Sequence, residues 1–158
     1  NLSNENREAT DSLLLMRPTY KTNAGRIVYG GGGITPDIHI PIFLNFSEKI
    51  QNIITHPNRL LFKYAQSIKD EFNHITFNEY LQLIKTNKNV IKINKFLGWL
   101  VEQDDSLTVT SDEIDNDWGY IKNRISAEIA SNLWGKDFYY YVLLLEDELF
   151  QTALNNLE

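Results

Sequence analysis

The sequence lacks several features that would assign it to common functional classes. It contains no cysteine, which excludes disulfide bonds, thiolate metal sites and a cysteine nucleophile. No apolar run approaches the roughly 18 residues that a membrane-spanning helix needs, so we expect no membrane span in this chain. The fifteen basic residues are scattered and outnumbered, and the net charge is −6. Nucleic-acid binding is therefore not expected.

The composition is nevertheless that of a folded protein. The chain has 158 residues, of which 42% are hydrophobic and 12% aromatic. This length is enough for one ordinary domain with a hydrophobic core, and the apolar fraction argues against disorder. The first ten residues are polar, without period and unlike a signal peptide. Any export signal of a longer parent protein would lie outside this sequence.

The most informative stretch combines β-like segments with a glycine run. Ile27 to Tyr29 is short and apolar, and it leads into the four consecutive glycines Gly30 to Gly33. Glycine adopts positive φ and allows close approach of other atoms, so the run predicts a tight, closely approached loop. A second β-like run, Ile38 to Leu44, follows. Because Pro41 has no backbone N–H to donate to a neighbouring strand, we expect this strand to lie at an edge or near an end.

The residues before the glycine run predict a β-hairpin. Tyr20 to Tyr29 contains Asn23, Ala24 and Gly25 near its middle. Asparagine and glycine accept the backbone angles of tight turns, so we place the turn there.

The whole stretch from Tyr20 to Ile38 resembles the segment that closes the protease core of carboxy-terminal processing peptidases. These are serine peptidases with a Ser/Lys dyad, often with a PDZ domain. The matching positions are Thr22, Gly25, Arg26, Tyr29, Gly30, Gly32, Gly33, Ile34, Pro36 and Asp37. Most of them are also expected to form a structural or substrate-contacting loop. That loop is predicted to comprise Thr22, Gly25, Arg26, Tyr29, Gly30, Gly31, Gly32, Gly33, Thr35, Pro36 and Asp37.

The resemblance implies a non-catalytic role for this chain. In the family, the serine lies upstream of this segment in a small-residue motif, and the lysine also lies upstream; no such serine motif occurs here. We therefore expect no catalytic residue, no metal and no cofactor, and an inactive isolated chain. The implied partners are the rest of the peptidase, including its PDZ-type domain, and a protein or peptide substrate, with self-association as an option. The implied compartment is the cell envelope or periplasm of a bacterium.

From Asn45 onward the sequence predicts helices. Apolar residues recur at helical spacing, Ser47 is a predicted N-cap, and Thr76 with Glu79 forms a predicted capping box. A long helix with Trp118 in its stripe is expected to end at Gly135, which is predicted to be a left-handed C-terminal cap. Asp137 is expected to cap one last helix. The predicted fold class is α+β and mostly α. A β segment over residues 1–44 would close the peptidase core, and a bundle of about five or six helices would occupy residues 45–158.

The helical part also resembles, more weakly, the extension that follows the core in some larger bacterial members of the family. Its role there would be to brace the core, to hold an oligomer together or to gate substrate entry. The alternative is an interaction module that recruits a substrate or adaptor without catalysis. A third reading, anion or nucleotide binding by the glycine run, lacks the Gly-Lys-Ser/Thr signature of a P-loop.

Other chemical features of the sequence have structural explanations. The acids Asp112, Asp115 and Asp117 lack the spacing of a calcium loop and predict a solvated helix start. The three histidines, His39, His56 and His74, have no metal-binding context. Ser67 and Lys92 are both predicted on helices, without an oxyanion donor, and do not indicate a dyad. The aromatic run Phe138 to Tyr141 is predicted to contribute side chains to the hydrophobic core and to its rim, or to form a partner-binding surface.

Overall fold

A computed structural model describes residues 16–30, 38, 40, 45–86 and 90–157. The chain divides into two compact units, residues 1–39 and 40–158. The described part of the first unit contains a small antiparallel sheet, and the second unit is helical. The predicted class, α+β and mostly α, is confirmed.

The sheet is the predicted hairpin. Strand β1 (Thr19–Lys21) pairs with strand β2 (Ile27–Tyr29) in antiparallel register, with Thr19 opposite Tyr29 and Lys21 opposite Ile27. The turn between them contains the predicted residues Asn23 to Gly25, and Gly25 has a φ of 81°. This positive φ is the left-handed region that glycine enters without steric penalty, so the residue type explains the site of the turn.

The second predicted strand, Ile38 to Leu44, falls mostly outside the described residues. Of its seven positions the structure describes only Ile38 and Ile40, and neither lies in a strand. A strand needs a hydrogen-bonding partner, and the sheet of the described residues consists of β1 and β2 alone.

Seven α-helices follow within the described residues, against five or six expected. A short 3₁₀ segment, Lys69–Phe72, extends the second of them. The helices are α1 (Glu48–Ile54), α2 (Leu60–Ile68), α3 (Phe77–Thr86), α4 (Ile93–Gln103), α5 (Ser111–Trp134), α6 (Lys136–Leu144) and α7 (Glu148–Asn155).

Side-chain caps determine where several helices begin. The backbone N–H of Ile50 donates to Ser47 Oγ at 3.4 Å, which confirms the predicted cap of α1. At α3, the backbone N–H of Thr76 donates to the Glu79 carboxylate at 2.8 Å, which confirms the predicted capping box. A second capping box, of Thr110 and Glu113, starts α5. Such caps satisfy backbone N–H groups that have no partner inside the helix.

Helix α5 is the centre of the helical unit. Its 24 residues span about 36 Å, and it contacts each of the helices α1, α2, α3, α4 and α6. The side chains that recur on its inner face are fully buried: Ile114, Ile121, Ile125 and Ile129. Replacing one of them with alanine typically costs about 2–5 kcal/mol, so this stripe is a main source of stability.

Tyr80 connects α3 to this central helix. Its side chain is completely buried, and its hydroxyl donates to the backbone carbonyl of Ser126 at 3.1 Å. Its ring lies 5.3 Å from that of Phe72 and 5.1 Å from that of Trp134, measured between ring centroids. Burial raises the pKa of the Tyr80 hydroxyl well above its usual range, so it is neutral and donates a hydrogen bond at physiological pH.

The end of the chain differs from the prediction of one last helix capped by Asp137. The segment breaks after Leu144, and α7 begins with a new cap, in which the backbone N–H of Phe150 donates to Asp147 Oδ1 at 2.7 Å. Asp137 lies in the first turn of α6, whose N-cap position is Gly135. Apolar residues continue at helical spacing through the break. The sequence signal for the break is Asp147, which caps the new helix.

Two glycines in the helical unit have different roles. Gly135 ends α5 as expected with a positive φ, but its angles of 111° and 170° are not those of the predicted left-handed cap. Gly98 lies inside α4, and a Cβ at that position would meet no atom within 4 Å. Close helix packing therefore does not explain the glycine at this position.

Candidate functional site

The hairpin turn is held by hydrogen bonds from three of the predicted site residues. The backbone N–H of Gly25 donates to the carbonyl of Thr22 at 2.9 Å, and the Thr22 N–H donates to the carbonyl of Arg26 at 2.9 Å. The Arg26 N–H donates to Thr22 Oγ1 at 3.1 Å. Thr22, Gly25 and Arg26 are thus brought together as a structural turn, and the threonine hydroxyl is used inside it.

The open end of the hairpin contains two further predicted residues, Tyr29 and Gly30. The Gly30 N–H donates to the carbonyl of Pro18 at 2.6 Å, which extends the pairing beyond the strands. A Cβ on Gly30 would collide with Cε2 of the Tyr20 ring and lie 3.3 Å from the Pro18 carbonyl oxygen. The start of the glycine run is therefore a position of close approach, as the residue type suggested.

Both faces of the hairpin expose apolar side chains. Alternation along paired strands places Tyr20 and Val28 on one face, and Ile27 and Tyr29 on the other. Tyr20 is 60% exposed, Ile27 59% and Tyr29 44%. Thr19 and Lys21 share the face of Ile27 and Tyr29, so only β2 is apolar on both faces. A strand that is apolar on both faces is typical of sheets covered on both sides.

The edges of the hairpin are also open within the described residues. Each strand pairs only with the other, so the outer backbone groups of both strands have no strand beside them. A two-stranded hairpin alone is marginally stable, and open edges readily accept another strand. The arrangement is suited to addition of strands from a larger sheet.

The remaining predicted loop residues lie outside the described part of the chain. They are Gly31, Gly32, Gly33, Thr35, Pro36 and Asp37. Anion binding by the glycine run falls largely on the same residues.

Ser67 and Lys92 have separate structural positions in the helical unit. Ser67 lies near the end of α2, where its hydroxyl donates to the Tyr64 carbonyl at 2.7 Å. Lys92 is the exposed residue that precedes α4. A serine whose hydroxyl is bonded within its own helix, without a base beside it, is not an activated nucleophile.

The histidines and acids of the helical unit likewise have local roles or face solvent. His56 accepts a hydrogen bond on Nδ1 from the backbone N–H of Asn58 at 3.2 Å, and His74 is exposed. His39 lies outside the described residues. Asp112, Asp115 and Asp117 all lie within the first two turns of α5, where acids favour the helix dipole. Among the described residues, no group of three or more acids and histidines is placed to bind a metal.

The strongest electrostatic feature of the helical unit is the start of α5. The Glu113 carboxylate accepts from the Lys49 ammonium at 2.7 Å and from the backbone N–H of Thr110 at 2.9 Å. These hydrogen bonds, the Lys49 bond first, lower the pKa of Glu113 to about 2. By contrast, burial raises the pKa of Glu128 on the same helix, against the opposing effects of Arg59 and Arg124. Both carboxylates are explained by helix starts and packing rather than by catalysis.

A small cavity lies beside α5, between the ends of α3 and α6. Its volume is about 80 Å³, and it is lined by Lys85, Lys122 and Glu146 among others. Binding pockets for small molecules usually measure about 300–1,000 Å³. The cavity is therefore too small for a peptide or cofactor. Every buried side-chain nitrogen or oxygen among the described residues has a hydrogen-bond partner, so none of these atoms is left unpaired to bind a ligand.

The aromatic run of α6 is divided between core and surface. Phe138 and Tyr139 are half-buried against the core, whereas Tyr140 and Tyr141 are about half exposed. Phe138 packs on Phe77 with ring centroids 4.4 Å apart. This run therefore contributes side chains both to the hydrophobic core and to its solvent-exposed rim.

Comparison of the chain with known proteins and structures identified no similar protein. No protein-family model, curated protein or solved structure matches the chain. In the part of the chain that the structure describes, no helix combines the length and apolar character needed to cross a membrane.

Proposed function

We propose that this chain is the C-terminal, non-catalytic portion of a carboxy-terminal processing serine peptidase. Its hairpin and glycine run complete the sheet of the protease core. The parent enzyme hydrolyses protein substrates near their C-termini, with a serine and a lysine supplied by the preceding part of the protein. The helical unit braces that core, holds an oligomer together or gates substrate entry, and the enzyme acts in a bacterial cell envelope or periplasm.

The observation that carries the proposal is the residue pattern from Thr22 to Asp37. What supports it in the structure is the hairpin that the first part of this pattern forms. Strand β2 is apolar on both faces, and neither strand of the hairpin pairs with a further strand among the described residues, which suits a strand pair that joins a larger sheet. Main-chain hydrogen bonds along such an edge would supply affinity, and the exposed Tyr20 and Ile27 would supply contact area.

The test is a complementation assay with a casein or fluorogenic peptide substrate. The longer gene product that contains this sequence is expected to be active, the isolated chain inactive, and the product truncated before Tyr20 inactive. Adding the 158-residue chain to the truncated product is expected to restore hydrolysis. A chain whose Ile27 is changed to Asp should restore less, because a charge on that face would be buried without a partner.

A matched control is Val101→Asp, on an exposed position of α4, which should restore activity as well as the unaltered chain. Full activity of the truncated product alone would contradict the proposal and would leave the chain an accessory interaction module. Hydrolysis by the isolated chain would also contradict it, since it would require a catalytic group within these residues.

A further inference from the structure

One ridge of helix α5 carries polar side chains beside the buried isoleucines. Tyr120, Arg124 and Glu128 recur every four residues and therefore share one side of the helix. All three residues are half-buried. Because α5 packs against α2 and α6, residues of those two helices and their ends can complete the surroundings of this ridge.

Arg59, which directly precedes α2, reaches the ridge from a second element. Its Nη2 lies 3.9 Å from Oε1 of Glu128, and its guanidinium carbon lies 4.3 Å from the centre of the Phe62 ring. The backbone of Arg59 has a φ of 52°, in the left-handed region that residues with a side chain seldom adopt. Residues with such backbone angles are concentrated at ligand-binding sites, so this arginine indicates a binding role.

Helix α6 contributes two tyrosines beside the ridge. Burial raises the pKa of the Tyr139 hydroxyl, Arg124 opposes this effect, and Glu128 adds to it. The hydroxyl is therefore neutral, able to donate a hydrogen bond, and close enough to interact with both charges. The Tyr140 ring stands edge-on to the Tyr139 ring, with centroids 5.4 Å apart, and Tyr140 is 52% exposed. A hydroxyl donor and an accessible aromatic ring thus accompany the charged side chains.

The charges of this group are poorly neutralised within the chain. Its two arginines are the only arginines of residues 40–158, and they face one carboxylate. The 3.9 Å between Arg59 and Glu128 exceeds the roughly 2.7–2.9 Å of a charge-assisted hydrogen bond. Arg124 has no ion pair and no side-chain hydrogen bond among the described residues, and its guanidinium carbon lies 5.9 Å from the centre of the Tyr120 ring. Its N–H donors are therefore available to an acceptor from outside the chain.

We propose that the Arg124 cluster, defined as Arg59, Tyr120, Arg124, Glu128 and Tyr139, binds an oxyanion, a phosphate or carboxylate group, that is attached to an aromatic ring. The planar guanidiniums match the paired oxygens of such a group, and the Tyr139 hydroxyl donates a further hydrogen bond. The ring of the ligand packs on the exposed ring of Tyr140.

Glu128 opposes this binding, because it places a negative charge beside the ligand. The inference does not rest on the peptidase proposal, since all of these residues belong to the helical unit.

The test titrates the 158-residue chain with small probes and follows its amide chemical shifts by NMR. Phenyl phosphate and benzoate are the probes, and they distinguish a phosphate from a carboxylate. Benzylamine, a ring with a positive charge, and inorganic phosphate, an oxyanion without a ring, are the comparisons. We expect the tighter probe to bind at least about tenfold more tightly than benzylamine and severalfold more tightly than inorganic phosphate, because only the probes combine the charge with the ring. The shifts should centre on residues 120–128 and 136–141.

Two variants have opposite expected effects on binding of the tighter probe. Arg124→Gln should weaken it about tenfold, since it removes a charge-assisted contact. Glu128→Gln keeps the size of the side chain but removes its charge, so it should tighten binding severalfold, which a merely structural role of the cluster would not produce. Lys122→Gln is the matched control. It removes one positive charge from the same helix, about 200° around the axis from Arg124, and should leave binding unchanged.

Four outcomes would overturn the inference. Absence of shifts with both probes at millimolar concentration would exclude the site. Equal binding of benzylamine and the probes would exclude recognition of a negative charge, and these two comparisons use the unaltered chain, so they hold even where a variant fails to fold. Unchanged binding by folded Arg124→Gln would exclude the Arg124 cluster. Shifts confined to the small cavity beside Lys85 and Lys122, and lost in Lys122→Gln, would place the oxyanion there instead.

Discussion

Replacing Tyr80 separates the packing of its ring from the hydrogen bond of its hydroxyl. In Tyr80→Phe the ring keeps its contacts with Phe72 and Trp134, and only the 3.1 Å bond to the Ser126 carbonyl is lost. The net value of such a bond is about 0.5–1.5 kcal/mol. The Ser126 carbonyl lies inside α5 and keeps its place in the hydrogen bonding of the helix. We therefore expect a loss near 1 kcal/mol in the free energy of unfolding, on that same scale.

Tyr80→Ala removes the ring as well. The side chain is fully buried between α3 and α5, so the change leaves a cavity that rigid aromatic neighbours fill poorly. Large aromatic-to-alanine changes cost about 3–5 kcal/mol, which is a large part of the stability of an ordinary domain. The two variants should therefore differ by about 2–4 kcal/mol, the remainder of that range after the hydrogen bond is subtracted.

Urea unfolding followed by far-ultraviolet circular dichroism measures both losses. Tyr140→Phe is the matched control, because Tyr140 is half exposed and its hydroxyl is not part of the core; we expect no measurable change. The reasoning would be refuted if Tyr80→Phe left the free energy of unfolding unchanged and Tyr80→Ala lowered it by less than about 1 kcal/mol, because removal of a fully buried ring costs more than that. Such a result would mean that α3 does not pack on α5 through this side chain.

Three further predictions concern the helices. Glu113→Gln should lower stability at neutral pH and make no difference at strong acid. The pKa of Glu113 in the folded protein, about 2, lies below the usual glutamate pKa of 4.5, so its contribution to stability is present above pH 4.5 and is lost as the pH falls toward 2. Urea unfolding at several pH values measures this, and a pH-independent difference would contradict it. Gly98→Ala should raise the free energy of unfolding by about 0.5–1 kcal/mol, because α4 has open space there and alanine is the better helix former. Gly135→Ala, at a φ of 111°, should instead lower it, and thermal melts compare the two.

The sequence predicted those elements that depend on local chemistry. The cap at Ser47, the capping box of Thr76 with Glu79, and the hairpin turn at Gly25 each follow from residue types within a few positions of one another. The capping box of Thr110 with Glu113 has the same Thr-x-x-Glu signature, so it too depends on residues within one turn of each other.

The end of the chain was not predictable from periodicity alone. Apolar residues continue at helical spacing across the break after Leu144, so a single helix satisfied the pattern. Which side of α7 faces the protein depends on the direction in which the new helix leaves Asp147, and that is a matter of tertiary structure.

The candidate site was predicted in part. The hairpin residues Thr22 and Gly25 form the expected turn, whereas the orientation of α7 has no signal in the sequence.

The placement of the three tryptophans has a consequence for how unfolding is observed. Trp99, Trp118 and Trp134 all belong to the helical unit, and the hairpin has none. Intrinsic tryptophan emission therefore reports on one unit, and a single clean transition would not show that the whole chain unfolds together. Amide exchange at Thr22 and Gly30, whose N–H groups close the two ends of the hairpin, would follow the other unit separately. An early loss of protection there, while the tryptophan signal is unchanged, would show that the hairpin opens independently of the helical unit.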